Sequence, residues 1–296
     1  MFNGICSIVP TDPIIGGFPV IHGESYENKN SLLFDGFDES LTVDAPYNLA
    51  FTDAFTISFW HRPGSLTNYC SVISNAFYQG TYPSGANVGW NFMFNNFWHF
   101  YMYGSGWNDY MYIRTNSASY NNQKDGWHHM VVTYNGNRPA SGSMTNSPDL
   151  KLYMDSVHQS TGYGYNQNNG TGSTSPNTRF RIADIHTNQQ GGGGTRYNGY
   201  LDEISIFDRV LTQSEISEMY NGTPPTGGGS GAPWNDGTGS PTNLKKLNPI
   251  LWFRMGEKAT WDGSKFTIPN EGSDTSLPEI YSSNLEESDL TTVVAP

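Results

Sequence analysis

Cysteine is scarce: Cys6 and Cys70 are the only two in the chain. Two thiols cannot build the multi-bridge framework of a small secreted scaffold. Cys70, inside Tyr69-Cys70-Ser71-Val72-Ile73, reads as a small buried strand residue, and a pair of free thiols is expected. Cations are scarce too, with 15 Lys and Arg against 27 Asp and Glu and a formal charge of −12. Neutralising phosphates needs clustered Lys and Arg, and no basic run exceeds Lys245-Lys246, so nucleic acid is excluded as a partner. No stretch approaches the roughly 20 apolar residues of a membrane helix, and no membrane insertion is expected. Residues 1–23 lack a basic start, and Pro10, Asp12 and Pro13 break any apolar run, so they do not read as a signal peptide.

What the chain has instead is aromatic residues and turn formers: 33 Gly, 18 Tyr, 16 Phe and 8 Trp with only 14% charged residues, a composition of many short strands and turns. Leu32-Leu33-Phe34, Phe55 to Trp60, Tyr69 to Ile73, Trp127 to Tyr134, Leu150 to Met154 and Phe180 to Ile185 are β-prone runs separated by Gly, Pro, Asn or Asp. That spacing predicts an all-β sandwich. Alternation puts His129, Val131 and Thr133 on one face of their strand and His128, Met130, Val132 and Tyr134 on the other. One helix is predicted after Thr212, which can cap it. Glu215 completes a capping box, Ile216, Met219 and Tyr220 form an apolar stripe, and Gly222 and Pro224 stop it.

These signals divide the chain into four parts. Residues 1–29, with Pro10, Pro13, Pro19 and Gly16-Gly17 among apolar anchors such as Ile5, Ile14 and Phe18, read as an extended arm. Residues 30–222 carry the sandwich, residues 223–248 have a Gly/Pro/Ser-rich linker composition, and residues 249–296 hold a strand segment and tail.

Five motifs in order resemble the laminin-G-like branch of the concanavalin A-like lectin/glucanase superfamily: Ser31 to Glu39, Phe55 to Trp60, Gly126 to Gly136, Lys151 to Asp155, and Gly199 to Leu211 followed by Glu215-Ile216. The resemblance implies a two-sheet antiparallel jelly roll. It also implies a structural calcium ion on Asp202, which stands at the position where related jelly rolls place a carboxylate ligand, with Asp35 as a second oxygen donor. The alternative for Asp202 is a carboxylate that accepts backbone hydrogen bonds within the sandwich. In related chains a strand with an aromatic pair and an acidic end precedes the segment equivalent to Asn30–Phe34. Here its counterpart comes after the linker, as Ile250 to Met255, with Leu251, Phe253 and Met255 on one face, and it is expected to complete the sandwich of its own chain or of a neighbour. Asn248 to Glu257 and Asn284 to Asp289 also resemble the tail of laminin-G-like structural proteins of tailed bacteriophages.

Catalytic constellations are missing. No Glu-x-Asp-x-Glu occurs, and Asp202-Glu203, adjacent on a strand, are expected to face opposite sides and so not to act as a pair on one sugar. There is no Gly-x-Ser-x-Gly, and Gly191 to Gly194 lacks the ending of a phosphate loop. Along one strand the His128-His129 rings cannot ligate one ion together. Gly89 to Tyr103 is crowded with aromatics in both registers, which predicts core positions for Trp90 and Trp98. Trp107, Asn108, Asp109 and Tyr110 are left in a Gly-flanked loop as candidates for contact with a glycan or a partner subunit. The expectation is a non-catalytic virion protein, a head decoration, fibre or tail component, with other virion proteins, further copies of itself and a cell-surface glycan as partners. A free-standing carbohydrate-binding adhesin is the alternative, and a glycoside hydrolase relic the third.

Overall fold

The computed structural model describes residues 28–293 except 44, 46, 67–68, 79–87, 105–108, 117–125, 160, 169–178, 185, 188–194 and 222–243. The extended arm, apart from residues 28 and 29, the linker up to residue 243, and Gly191 to Gly194 lie outside the described residues.

Two antiparallel sheets face each other across an aromatic core, consistent with a jelly-roll sandwich. In the smaller sheet the order is Val157–His158, Leu150–Met154, His128–Asn135, Ala54–Pro63, Asn198–Phe207, Ser31–Asp35 and Leu290–Thr291. The larger runs from Gly142–Ser143 through Thr161–Asn168, Asp109–Thr115, Phe97–Tyr103, Gly89–Asn95 and Cys70–Ser74 to Arg181–Ile182, Ser40–Thr42, Glu279–Ser283, Phe266–Pro269 and Thr260–Trp261. Period-2 alternation explains the packing. Phe55, Ile57 and Phe59 meet Met130, Val132 and Tyr134 in the core, while Val131 and Trp60 belong to clusters on the outer face. Trp90, Trp98 and Cys70 are fully buried, the two tryptophans at the core positions their register predicts. The helix spans Gln213–Asn221, and its capping box forms: the Glu215 backbone N–H donates to Thr212 Oγ1 (3.2 Å) and the Thr212 N–H donates to Glu215 Oε2 (2.7 Å). Tyr220 stacks on Trp60 at 5.7 Å, which docks the helix on the sheet.

The C-terminal segment is built into both sheets. Leu251–Phe253 pairs antiparallel with Asn198–Phe207, in the register Ile204 to Phe253 and Ile206 to Leu251, so the strand lies on its own chain. Leu251, Phe253 and Met255 enter the main core and Trp252 the outer cluster. The segment is more than one strand and a tail: Phe266, Ile268, Ile280 and Leu285 also fill the main core, and Leu290–Thr291 pairs with Ser31–Asp35.

Truncating a fully buried aromatic in this segment should therefore destabilise the whole sandwich. Phe253→Ala is expected to cost about 3–5 kcal/mol in urea unfolding. A cooperative transition displaced by less than about 1 kcal/mol would contradict its place in the core.

Candidate functional site

The aromatic-rich run resolves into two registers. Phe97–Tyr103 and Asp109–Thr115 pair with His99 opposite Arg114, Tyr101 opposite Tyr112 and Tyr103 opposite Tyr110. Trp98, Phe100, Met102, Met111 and Ile113 point into the core. The alternate residues pave the outer face of the larger sheet. There the His99 and Tyr101 rings stack at 5.3 Å, Tyr101 and Tyr103 at 5.3 Å, and Tyr101 and Tyr112 at 4.9 Å. Arg114 closes one end, its guanidinium 4.3 Å over the Phe97 ring. His99, Tyr101, Tyr112 and Arg114 line a cavity of about 270 Å³, near the low end of small-molecule pockets.

His99 gives this groove a directed polar atom. Burial pushes its pKa down to about 4, so the ring is neutral at ordinary pH. Nε2 lies 3.2 Å from the Asn95 carbonyl, which can only accept, so Nε2 carries the hydrogen and Nδ1 is a lone-pair acceptor. That Nδ1 is buried and has no hydrogen-bond partner among the described residues. A hydroxyl-bearing ligand could satisfy it while laying an apolar face on the tyrosines.

The sequence-derived candidates fall differently. Trp107 and Asn108 lie outside the described residues. Asp109 and Tyr110 are not loop residues but the first two of a strand. Asp109 is buried and paired with Arg138 (Nη1 to Oδ1, 2.6 Å), whose guanidinium sits 3.6 Å over Phe51. Tyr110 is half-buried, with Tyr112 at 6.1 Å and Tyr165 at 6.4 Å, at the edge of the aromatic face. The sequence candidates do not include His99, Tyr101, Tyr112 and Arg114, because aromatics crowding both registers point to a run that is mostly core. The usable signal was the polar residue on the odd register, with the Tyr110-Tyr112-Arg114 alternation across from it.

A second polar centre lies in the smaller sheet. Asp202, Glu203 and Glu257 bring carboxylate oxygens within 4.8 Å of one another. This corrects the expectation that Asp202 and Glu203 face opposite sides: the register slips between Asp202 and Ser205, Glu203 takes φ +47°, and this bulge breaks the alternation. Glu203 accepts from Trp252 Nε1 and from Arg254 Nε (3.0 Å), and Arg254 Nη2 is 3.9 Å from Glu257. Asp202 accepts from Asn28 Nδ2 (2.9 Å) and the Glu203 N–H (2.8 Å). Burial, then Glu203 and Glu257, hold the Asp202 carboxyl well above the usual range, and burial also raises Glu203, against the pull of Arg254. Calcium takes 6–8 oxygen ligands, and these three carboxylates fit a share of such a set. Asp35 does not belong to it. It lies four ladder positions away, opposite Asn198 where Leu32 is opposite Leu201, and its Oδ1 accepts the Phe37 N–H (2.6 Å) to shape a turn.

Fold and site together define a lectin-like sandwich with an aromatic groove on one sheet. A family model of the concanavalin A-like lectin/glucanases superfamily, Laminin_G_3, matches residues 35–217, and the chain belongs to that family. No curated protein sequence matches it. Among solved structures, a protein from Bacteroides ovatus described as a candidate carbohydrate-binding protein aligns with TM-score 0.52 at 12% identity, over 90% of this chain and 59% of that one. This chain thus spans about three fifths of that protein's length. The CBM40 of a Ruminococcus gnavus IT-sialidase aligns with TM-score 0.40 at 11% identity, over 64% and 95% of the two chains. A heptameric SAP-like pentraxin from Limulus polyphemus gives 0.36 at 16%, over 70% and 88%. At these identities the likeness is one of fold.

The pairing of Arg254 with buried Glu203 and half-buried Glu257 makes a direct prediction. Arg254→Met leaves Glu203 and Glu257 without their cation and should cost about 3–5 kcal/mol by chemical denaturation at pH 7. A loss confined to about 1 kcal/mol would show that the cluster carries no net charge worth pairing.

Proposed function

We propose that the chain is a non-catalytic glycan-binding protein whose ligand occupies the groove of His99, Tyr101, Tyr112 and Arg114. The buried, partnerless Nδ1 of His99 within a stack of tyrosines carries this reading. Sugars offer apolar C–H faces to aromatic rings and hydroxyls to fixed acceptors, and both are present within one cavity. Among the described residues none of the four that line the cavity is a carboxylate, whereas glycoside hydrolysis requires two across the scissile bond. The buried carboxylates of the other sheet are tied to Arg254, Trp252 and backbone N–H groups, which supports a structural part for them.

The setting that belongs with this proposal is the virion, from the likeness of Asn248 to Glu257 and Asn284 to Asp289 to phage structural proteins. There the groove would engage a cell-surface glycan while the sandwich packs against other virion proteins and copies of itself. Mass spectrometry of purified particles should find the chain in stoichiometric amount, and its absence would leave the free-standing adhesin. Calcium beside Asp202 completes the proposal, with Oε2 of Glu257, which has no hydrogen-bond partner among the described residues, as its second oxygen. Ca²⁺ added to EGTA-treated protein should raise Tm, the increment should vanish in Asp202→Asn, and an unchanged Tm in the native sequence would remove the ion.

The groove is tested by glycan-array binding followed by calorimetry. Tyr112→Ala and Arg114→Ala should each weaken binding about tenfold or more, equivalent to about 1.4 kcal/mol. Protonating His99 removes its acceptor, so affinity should be flat at neutral pH and fall as pH drops through about 4, with circular dichroism confirming that the fold survives. Full affinity in both variants would place the ligand elsewhere.

A further inference from the structure

The strands Leu150–Met154, His128–Asn135, Ala54–Pro63 and Asn198–Phe207 lie side by side, and on the middle two His61 stands directly opposite His128. Both follow the alternation of core residues, His61 that of Phe59 and His128 that of Met130. His61 is fully buried, while His128 keeps 16% of its side chain exposed. The ring centroids are 6.0 Å apart.

Each ring commits its Nδ1 away from the other. His128 Nδ1 is 2.8 Å from Oδ2 of Asp155, which follows the outermost of the four strands. His61 Nδ1 is 3.4 Å from the hydroxyl of Tyr197, at the start of the strand on the opposite side. The two nitrogens of an imidazole point their bonds to different sides of the ring, so each Nε2 is directed away from the partner of its own Nδ1, Asp155 on one flank and Tyr197 on the other. Their protonation follows from their partners. A carboxylate only accepts, so His128 carries its hydrogen on Nδ1. The Tyr197 hydroxyl gives its single hydrogen to the Tyr200 carbonyl (3.2 Å), so its oxygen accepts from His61 Nδ1. In the neutral rings both Nε2 atoms are therefore lone-pair donors. Both are buried without a hydrogen-bond partner among the described residues, and two lone pairs cannot satisfy each other.

We propose that His61 and His128 together bind a late first-row transition-metal ion, with Zn²⁺ as the probe, through their Nε2 atoms. Neutral imidazole suits Zn, Cu and Ni, whereas calcium takes oxygen donors, so the site is chemically distinct from the carboxylate cluster. Two Zn–N bonds of about 2.0–2.1 Å put the ring centroids about 5 Å apart at a tetrahedral angle and about 6.4 Å apart in line, a range that includes the observed 6.0 Å. An Nδ1–H held by a carboxylate or another oxygen is the outer-shell arrangement that fixes a metal-ligating histidine. Burial, with His128 adding to it, holds the His61 pKa well below the usual histidine range, which keeps its ring neutral and ready to ligate. His128, 16% exposed, is the side from which the ion and the waters that complete its coordination enter.

The test uses the full chain without a polyhistidine tag, stripped with EDTA and dialysed. Calorimetric titration with Zn²⁺ at pH 7.5 should show stoichiometric uptake that excess Ca²⁺ does not displace, and Co²⁺ should give visible d–d bands. His128→Gln should weaken uptake by more than about tenfold, and Asp155→Asn, which touches no metal, by about 10–100-fold. His158→Gln should leave it unchanged. His61→Gln alters a fully buried residue and can fail to fold, so the partly exposed His128 carries the decision, with near-UV circular dichroism as the folding control. Absence of stoichiometric uptake, or uptake unchanged in His128→Gln, overturns the proposal and leaves the two acceptors to a buried water.

Discussion

Three carboxylates, two of them buried, gathered beside one buried arginine are the constraint around which the sandwich is organised. The strand Asn198–Phe207 gives one edge to Ala54–Pro63 and divides the other between Ser31–Asp35 and Leu251–Phe253, laid end to end. The cluster sits at the seam between those two. Glu257 Oε1 accepts the N–H groups of Lys29 and Asn30, and Asn28 reaches Asp202. A Cβ at Gly256 would come within 2.2 Å of Asn30, so the two segments approach as closely as only glycine allows. Charges this deep are costly unless fully hydrogen-bonded. The seam is satisfied only when residues from positions 28–30, 202–203 and 252–257 are present together, and this couples distant parts of the sequence into one cooperative unit.

That coupling has a consequence for the groove. With the smaller sheet closed by the C-terminal strand, and the larger extended by Phe266–Pro269 and Glu279–Ser283, the interior holds Phe55, Phe59, Phe92, Trp98 and Phe100 in edge-to-face and tilted contacts. Aromatics on the other register have no interior left to enter. They stack on one another outside, on strands in the middle of a sheet rather than at its rim. Rings held this way lose little further entropy when a ligand arrives, which favours binding by preorganisation.

Local rules carried much of this. The alternation of His128 to Tyr134 gave the correct faces because the strand is regular and covered on both sides, and the Thr212 and Glu215 capping box needs only residues within one turn. The apolar register of Leu251, Phe253 and Met255 was legible for the same reason. What failed was non-local or irregular. Nothing near Asp109 in sequence announces Arg138, whose charge draws that carboxylate out of the loop and into the sheet. Nothing in Leu201 to Ser205 announces the bulge, since Glu203 at positive φ is held by Trp252 and Arg254 from beyond the linker composition.

Two adjacent pairs show why chain neighbours mislead in a sheet. Alternation separates His128 from His129: one joins Asp155 at the rim of the core, while the other bonds Ser58 at 2.7 Å and stacks on Trp60 on the outer face. A bulge does the reverse for Asp202 and Glu203. In a β-sandwich the natural partner of a side chain is the residue across the ladder, as Tyr112 is for Tyr101 and His61 for His128. Chemistry in such a fold is assembled along the hydrogen-bonding direction. A reading that asks only what stands next in the chain will reject a pair such as His128-His129 correctly and still overlook the pairing that the strand order creates.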